Sequence, residues 1–454
     1  MQVLWAEQAL TCDGWRKDLR IEVDASGHIS DICSAEKPEG KRVGILLPAP
    51  TNLHSHAFQR SMAGMTEKRG PNPHDSFWTW RKLMFRFLDQ LTPDDIEAIA
   101  AFVQMEMLEA GYAAVGEFHY LHHQSGGVPY DNLAELSERI AAAAANTGIG
   151  LTLLPVLYEH GGCDGRPLGS GQIRFGNDIE RFEVLLEGAK SAVSHLASDA
   201  NTGVAPHSLR AVSLDGLKAA IDLLPDAPLH MHVAEQLLEI DEVLAAWGKR
   251  PMEWLLENFD VDQRWCLIHA TQMQPDETMK LAKSGAVAGL CPITESSLGD
   301  GIFDGKSYLN YGGCFGVGSD SNIRISLSEE LRTLEYSQRL RDHGRAVLAT
   351  KDASTGRVLY EGAAGGGAQA AGRNSGRIEV GALADLVALD SNMTDLLGKD
   401  GDEVLDSYIF CGDDSMVSDV WSAGRHLVRE GCHIKKESIV GAYRQTILSL
   451  TERI

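Results

Sequence analysis

The sequence predicts a closed (β/α)₈ barrel carrying a small β-sandwich assembled from both ends of the chain. Between Leu46 and Ser321, eight apolar strand-like runs alternate with long helical stretches. Strands separated by crossover helices pair in parallel. The eight units occupy roughly 270 residues, near the ~250 of a typical closed barrel. Before Leu46 and after Gly376 the pattern returns to short strands, so the two ends are β-rich and flank the barrel. An open doubly wound sheet would want Gly-x-Gly-x-x-Gly after its first strand, and that motif is absent there.

Taken in order, the N-terminal strands are residues 3–6, 19–23 and 28–32, with a turn at Ala25-Ser26-Gly27. The barrel strands are 46–56, 114–120, 150–158, 202–209, 228–235, 265–271, 286–294 and 314–321. Helices fill the gaps, among them 93–111, which Thr92 opens with a proline in the first turn, then 131–146, 178–198 and 214–224. The tract Gly365-Gly366-Gly367 and the turns after it mark the end of the barrel. Strands resume at 376–390 and 417–428, and a last helix covers 438–450. The expected domains are therefore a composite sandwich of 1–46 and 376–435, a barrel of 47–375, and a C-terminal helix within 436–454.

Composition is that of an ordinary globular chain, 454 residues with 44% hydrophobic and 23% charged, enough for one large domain and a smaller one. The net charge of -23 argues against nucleic acid or an anionic membrane as partner, because both need basic surface. It also disfavours long-range steering of an anion, although a local arginine could bind one. No basic segment followed by an apolar run opens the chain, and no apolar run approaches the ~20 residues of a membrane helix. A soluble, cytoplasmic protein is expected. The eight cysteines are scattered without a Cys-x-x-Cys pair and read as reduced thiols. Cys266, Cys291 and Cys314 sit in apolar runs, as small buried hydrophobes would.

Side chains alternate along a strand, so His54 and His56 of His54-Ser55-His56 point the same way and can share one ion. Such a pair also occurs on a wet strand face, so it carries little alone. Active sites of barrels lie at the C-terminal strand ends. Those ends here hold His207, then His230-Met231-His232-Val233-Ala234-Glu235, His269 and Asp320. Three imidazoles and a carboxylate would hold a divalent ion with one position open to water, whose pKa such an ion lowers. Glu235 lies just past its strand, where a non-ligating carboxylate can shuttle protons. His269 could stabilise charge on an attacking oxygen. His230 and His232 share a face, so spacing leaves open which of them is the ligand.

Together the His54-x-His56 pair, the His232-x-Ala234-Glu235 group, His269, Gly318-Ser319-Asp320 and the trailing Gly376-x-Ile378-x-x-Gly381-x-x-Ala384-Asp385-Leu386-Val387 resemble the amidohydrolase superfamily, in its branch of mononuclear metal deaminases. The resemblance spans essentially the whole chain. It implies a distorted TIM barrel of the metal-dependent hydrolase type with a β-sandwich, and metal ligands His54, His56, His232 and Asp320. It makes Glu235 and His269 a catalytic pair, with Asp320 taking a proton from water. No counterpart of the bridging lysine of dinuclear relatives is visible, which favours a single ion. Three nitrogens and one oxygen favour Zn2+, while iron or manganese also suit the set. A homodimer is what the resemblance suggests.

A narrower likeness lies in Asn52-Leu53-His54-Ser55-His56-Ala57-Phe58-Gln59-Arg60-Ser61-Met62-Ala63-Gly64, Ser76-Phe77-Trp78-Thr79-Trp80-Arg81 and Ala205-Pro206-His207-Ser208-Leu209-Arg210. These stretches resemble superfamily members that deiminate a linear formimidoyl amino diacid in histidine breakdown, rather than guanine, adenosine-type or triazine hydrolases. The implied reaction is hydrolysis of the amidine to a formyl amide and ammonia. A small dicarboxylate amidine suits the residues, since guanidinium binds carboxylate bidentately and Arg81 and Arg210 would serve as clamps. Gln59, Tyr120 and His207 lie near strand ends and would hydrogen-bond the amide and amidine. One alternative is a deaminase of an aminated purine-like ring, which shares every metal and catalytic residue. Another is a non-catalytic barrel scaffold, which would be expected to have lost some of them. Residues 66–81, rich in Pro, Gly and Trp, follow the first barrel strand directly, where a lid would cover the site.

Overall fold

A computed structural model describes residues 2–67 and 77–453. Alternation along one strand links its two halves. The terminal sheet comprises β1 (Gln2–Thr11), β2 (Gly14–Val23), β3 (Ile29–Ser34) and β4 (Lys41–Pro48) from the N-terminus. On β4, Leu46 packs with Leu4, Ile21 and Trp421 in a core belonging to this sheet. Its neighbours Ile45 and Leu47 face the opposite way, into the core of the barrel.

The barrel follows with β5 (Thr51–Ser55), β6 (Ala114–His119), β7 (Gly150–Leu157), β8 (Asn201–Thr202), β9 (Ala205–Pro206), β10 (Leu229–Val233), β11 (Trp265–His269), β12 (Val287–Leu290) and β13 (Cys314–Val317). The run predicted over 46–56 is thus shared between β4 and β5. Pro48 and Pro50 have no N–H to offer a ladder, and the chain changes sheets between them. Strands β5 to β7 and β10 to β13 pair in parallel. The fourth strand is broken into β8 and β9, both on β7, and a bridge from Val204 to Leu229 carries the ring on to β10. At the break, a Cβ on Gly203 would lie 2.5 Å from the Pro228 carbonyl oxygen, so only glycine allows the approach. A last bridge, Ser55 to Asp320, closes the barrel.

The C-terminal strands β14 (Leu386–Leu389), β15 (Val417–Ser422), β16 (Arg425–Arg429) and β17 (Cys432–His433) return to the N-terminal sheet. β14 pairs antiparallel with β4, Val387 opposite Leu47. The result is one continuous eight-stranded sheet around a core of its own, ordered β17-β16-β15-β14-β4-β1-β2-β3. The expected sandwich is therefore a single hydrogen-bonded sheet contributed by both termini.

Two expectations about local structure are corrected, and one further helix is found. The run 286–294 leaves the strand early, because Pro292 opens the helix Pro292–Leu298. The glycine tract 365–367 does not end the barrel in a loop; it lies inside the helix Thr355–Ala370. A Cβ on Gly366 would sit 1.8 Å from the Phe315 carbonyl oxygen and one on Gly367 2.7 Å from that of Thr51. These glycines let the helix press on the backbone of β13 and β5. Between β14 and β15 the chain forms a further helix, Asp402–Phe410.

Thr92 caps the helix Pro93–Glu109 through a capping box with Asp95. The last helix, Lys436–Arg453, docks on it, with Phe102 and Tyr443 stacked at 3.8 Å. Behind the barrel, Arg373 pairs with Asp385 at 2.6 Å and Asp199 at 2.7 Å, and Arg425 pairs with Asp199 at 2.6 Å. This network ties the terminal sheet to the loop that precedes β8.

Candidate active site

The His-x-His strand and the residue after β13 are stitched by backbone. Asp320 donates its N–H to the His54 carbonyl and His56 donates to the Asp320 carbonyl, each at 2.9 Å. Gly318 makes this closeness feasible, since a Cβ there would lie 2.7 Å from both the nitrogen and the oxygen of His54. Asp320 has a left-handed backbone, φ 47°, which turns its carboxylate back over the strand ends.

Four donor atoms meet there. His54 Nε2 lies 3.1 Å from Nε2 of both His56 and His232, and Asp320 Oδ1 lies 3.4 Å from His54 and 3.2 Å from His56. A tetrahedral ion with bonds of ~2.0–2.1 Å would hold its donors about 3.3 Å apart. Imidazole Nδ1 atoms point away from this centre, that of His56 to the Phe118 carbonyl at 2.9 Å and that of His232 to the His207 carbonyl at 3.3 Å. Such outer bonds fix the tautomer that leaves Nε2 as a donor. Burial lowers His54 to about 3 and His232 well below the usual range. Burial opposes ionisation of Asp320, but hydrogen bonds with His54 and His56 outweigh it and hold the carboxyl well below its ordinary value. A divalent ion needs neutral imidazole and ionised carboxylate, the directions in which His54, His232 and Asp320 are pushed, so the set fits one.

Depth in the barrel separates His230 from His232. His230 Nε2 bonds the Ala370 carbonyl at 2.7 Å, and His232, two residues further on, reaches the donor cluster.

Beside this centre, Glu235 Oε1 lies 3.7 Å from His269 Nε2, which is 4.0 Å from Asp320 Oδ2. Backbones here are left-handed again, φ 54° at Ala234 and 70° at His269. Burial pushes the Glu235 carboxyl up, with His269 and Arg210 opposing. Burial would lower His269, but Glu235, Glu295 and Asp320 outweigh it and carry its pKa to about 10. Two supporting carboxylates escaped sequence reasoning. Glu295 lies 3.3 Å from His269 Nδ1 and accepts the Cys291 N–H at 2.9 Å. Glu239 accepts the N–H groups of Ala234 and Glu235.

The residues singled out from sequence line one cleft of about 800 Å³, open mouth included, apart from His54 and His230, which are fully buried. Gln59 donates to the Tyr120 hydroxyl at 2.8 Å, leaving its own Oε1 buried without a partner. Arg210 Nε is likewise buried and unpartnered, and its Nη2 stands 4.0 Å from Glu235. Arg81 reaches the Tyr158 hydroxyl at 3.2 Å, and His207 bonds Ser208 at 2.9 Å. Tyr158 and Gln172 complete this wall; the first ends a predicted strand, the second had no signal at all. The lid expected over 66–81 falls largely on residues 68–76, outside the described residues. All eight cysteines are free, and no described helix is long and apolar enough to cross a membrane.

A family model described as "Amidohydrolase family" matches residues 45–427. The chain belongs to the amidohydrolase family. Residues 1–41 of this amidohydrolase match a second model, "Formimidoylglutamate deiminase HutF, N-terminal domain". Over 456 aligned positions it is 47% identical to the formimidoylglutamate deiminase of Pseudomonas aeruginosa, covering 100% of both chains. It is 26% identical to a 5-methylthioadenosine/S-adenosylhomocysteine deaminase of Natronomonas pharaonis, over 80% of this chain and 77% of that one. An amidohydrolase structure from Brucella melitensis superposes with a TM-score of 0.95 at 48% identity, covering 99% of this chain and 100% of that one. An adenosine deaminase from Xanthomonas campestris with bound zinc gives 0.81 at 19% identity, covering 99% and 98%, a likeness of fold.

Proposed function

We propose that this amidohydrolase hydrolyses N-formimidoyl-L-glutamate to N-formyl-L-glutamate and ammonia, in histidine degradation. The observation that carries the reading is the juxtaposition of Arg81 and Arg210 with the donor cluster and the Glu235–His269 pair in one cleft. A dicarboxylate amidine needs guanidinium at its acid ends and proton transfer at its carbon, and the cleft offers both. The 47% identity to a formimidoylglutamate deiminase over the full chain supports the same substrate. The 5-methylthioadenosine/S-adenosylhomocysteine deaminase of Natronomonas pharaonis stands lower, at 26%, and the ring alternative is not favoured.

His54, His56, His232 and Asp320 would hold a divalent ion, for which zinc suits the three nitrogens and one oxygen. Such an ion supplies Lewis acidity and lowers the pKa of water at its open position. The chain's own residues do the rest. Asp320, whose Oδ2 lies 4.0 Å from His269 Nε2, would take a proton from the attacking water. His269, held through Nδ1 by Glu295, presents Nε2 to the oxygen as charge develops on it. Glu235 takes the remaining proton of the added hydroxyl and passes it to the departing nitrogen of the cationic amidine, so that the C–N bond breaks as ammonia forms, the carbonyl remains, and Asp320 releases its proton to solvent. Arg210 and Arg81 anchor the carboxylates, and the orphaned oxygen of Gln59 accepts from an N–H of the substrate. Free cysteines suit the cytoplasm, and a homodimer is only what the family resemblance suggests.

The test is ammonia release from N-formimidoyl-L-glutamate by metal-replete protein, beside guanine and an adenosine derivative. Release from the amidine acid is expected, with KM raised at least tenfold in Arg210→Met. Release from a ring substrate alone would overturn the assignment.

A further inference from the structure

One hydroxyl on the cleft wall has its acceptor side fully engaged. Tyr158 directly follows the third barrel strand, is buried, and packs edge-on against His207 with ring centroids 4.5 Å apart. Its oxygen accepts Arg81 Nη2–H at 3.2 Å and Gln172 Nε2–H at 2.9 Å. The orientation of the Gln172 amide is not arbitrary. Its Oε1 accepts the Gly169 N–H at 3.0 Å, so the NH₂ end must face Tyr158. Guanidinium has no acceptor, and this amide has turned its acceptor elsewhere. Neither neighbour can take the phenolic proton. It is therefore directed away from both, on a residue that faces the cleft.

Resting on the proposed substrate, we infer that Tyr158 is a specificity-determining residue whose hydroxyl donates to the substrate carboxylate held at Arg81. Gln172 is its positioning residue, occupying the acceptor side so that the hydroxyl serves as a donor only. A carboxylate is the ligand this arrangement suits, because it is acceptor-only and bonds to charged acceptors are the strong ones.

The experiment compares wild type with Tyr158→Phe, which keeps the ring against His207 and removes one oxygen. Three compounds are used: N-formimidoyl-L-glutamate, N-formimidoyl-4-aminobutyrate, which lacks the α-carboxylate, and N-formimidoyl-L-norvaline, which lacks the distal one. Monoacids turned over too slowly are read as competitive inhibitors of the diacid. Expected is a rise of about tenfold in KM for the diacid and in the constant for one monoacid, the other unchanged, with kcat within about threefold. A uniform rise across all three, or none, overturns the inference while leaving the proposed activity intact. No ammonia from the diacid with wild type overturns the substrate reading, and this inference with it. If Tyr158→Phe does not fold, Gln172→Met must show the same selectivity between the monoacids in weaker form; a uniform change there overturns the inference.

Discussion

Glu239 holds the backbone of the residue proposed to move the proton: one of its oxygens accepts the Glu235 N–H at 2.9 Å and the other that of Ala234 at 3.0 Å. Glu239 is fully buried, and Ala234 sits at φ 54°, a conformation that costs energy unless its surroundings impose it. Glu239→Ala removes that constraint without touching the cleft. The expected result is a fall in kcat of about a hundredfold from misplacement of Glu235, with bound metal per chain unchanged. Metal loss in parallel with activity would show that Glu239 supports the whole centre instead.

Glu295 orients the other member of the pair. Because its carboxylate is shared between His269 Nδ1 and the Cys291 N–H, Glu295→Ala frees the ring to rotate. Loss of such an outer partner costs about 10- to 100-fold. The loss should fall on kcat with KM little changed, since Glu295 does not line the cleft, and steady-state kinetics on the amidine acid reads the split.

Gly318→Ala tests the stitch between β13 and the His-x-His strand. The added methyl would meet His54 backbone at 2.7 Å, with no flexible side chain to yield. Overpacking of this kind costs roughly 1–3 kcal/mol. Denaturant unfolding and metal analysis should show lowered stability and a substoichiometric ion together. A variant of normal stability with full metal would mean that the strands separate freely.

Acid sensitivity should trace in part to Asp199. Burial would raise its carboxyl, but Arg425 and Arg373 outweigh burial and hold it at about 2, against 3.8 in the unfolded chain. A group whose folded pKa is depressed stabilises above its unfolded value and loses that contribution as pH falls through the folded one. Asp199 thus contributes about 2 kcal/mol at neutral pH, lost between about pH 4 and 2. Urea unfolding of wild type and Asp199→Asn should differ at pH 7 and converge in acid; a gap independent of pH would rule this out.

Much of this was legible in sequence. Period-two alternation put His54 and His56 on one face, proline and threonine marked the start of Pro93–Glu109, and β-rich ends announced a shared terminal sheet. Spacing had less to say where two answers share a face. His230 and His232 are equivalent by alternation, and their separation is one of depth along the strand. The glycines at 365–367 read as a break because glycine usually breaks helices, and that prior fails where a helix must touch backbone.

Local signals specified which residues alternate, where elements start and stop, and which metal-competent side chains stand at strand ends. Those follow from dihedral preferences and periodicity within a few residues. Tertiary structure alone decided which distant groups meet: Glu295 with His269, Asp199 with Arg373, and Tyr158 between Arg81 and Gln172. No short-range pattern encodes such pairs, because their partners lie on different strands, helices and loops and come together only when the barrel closes.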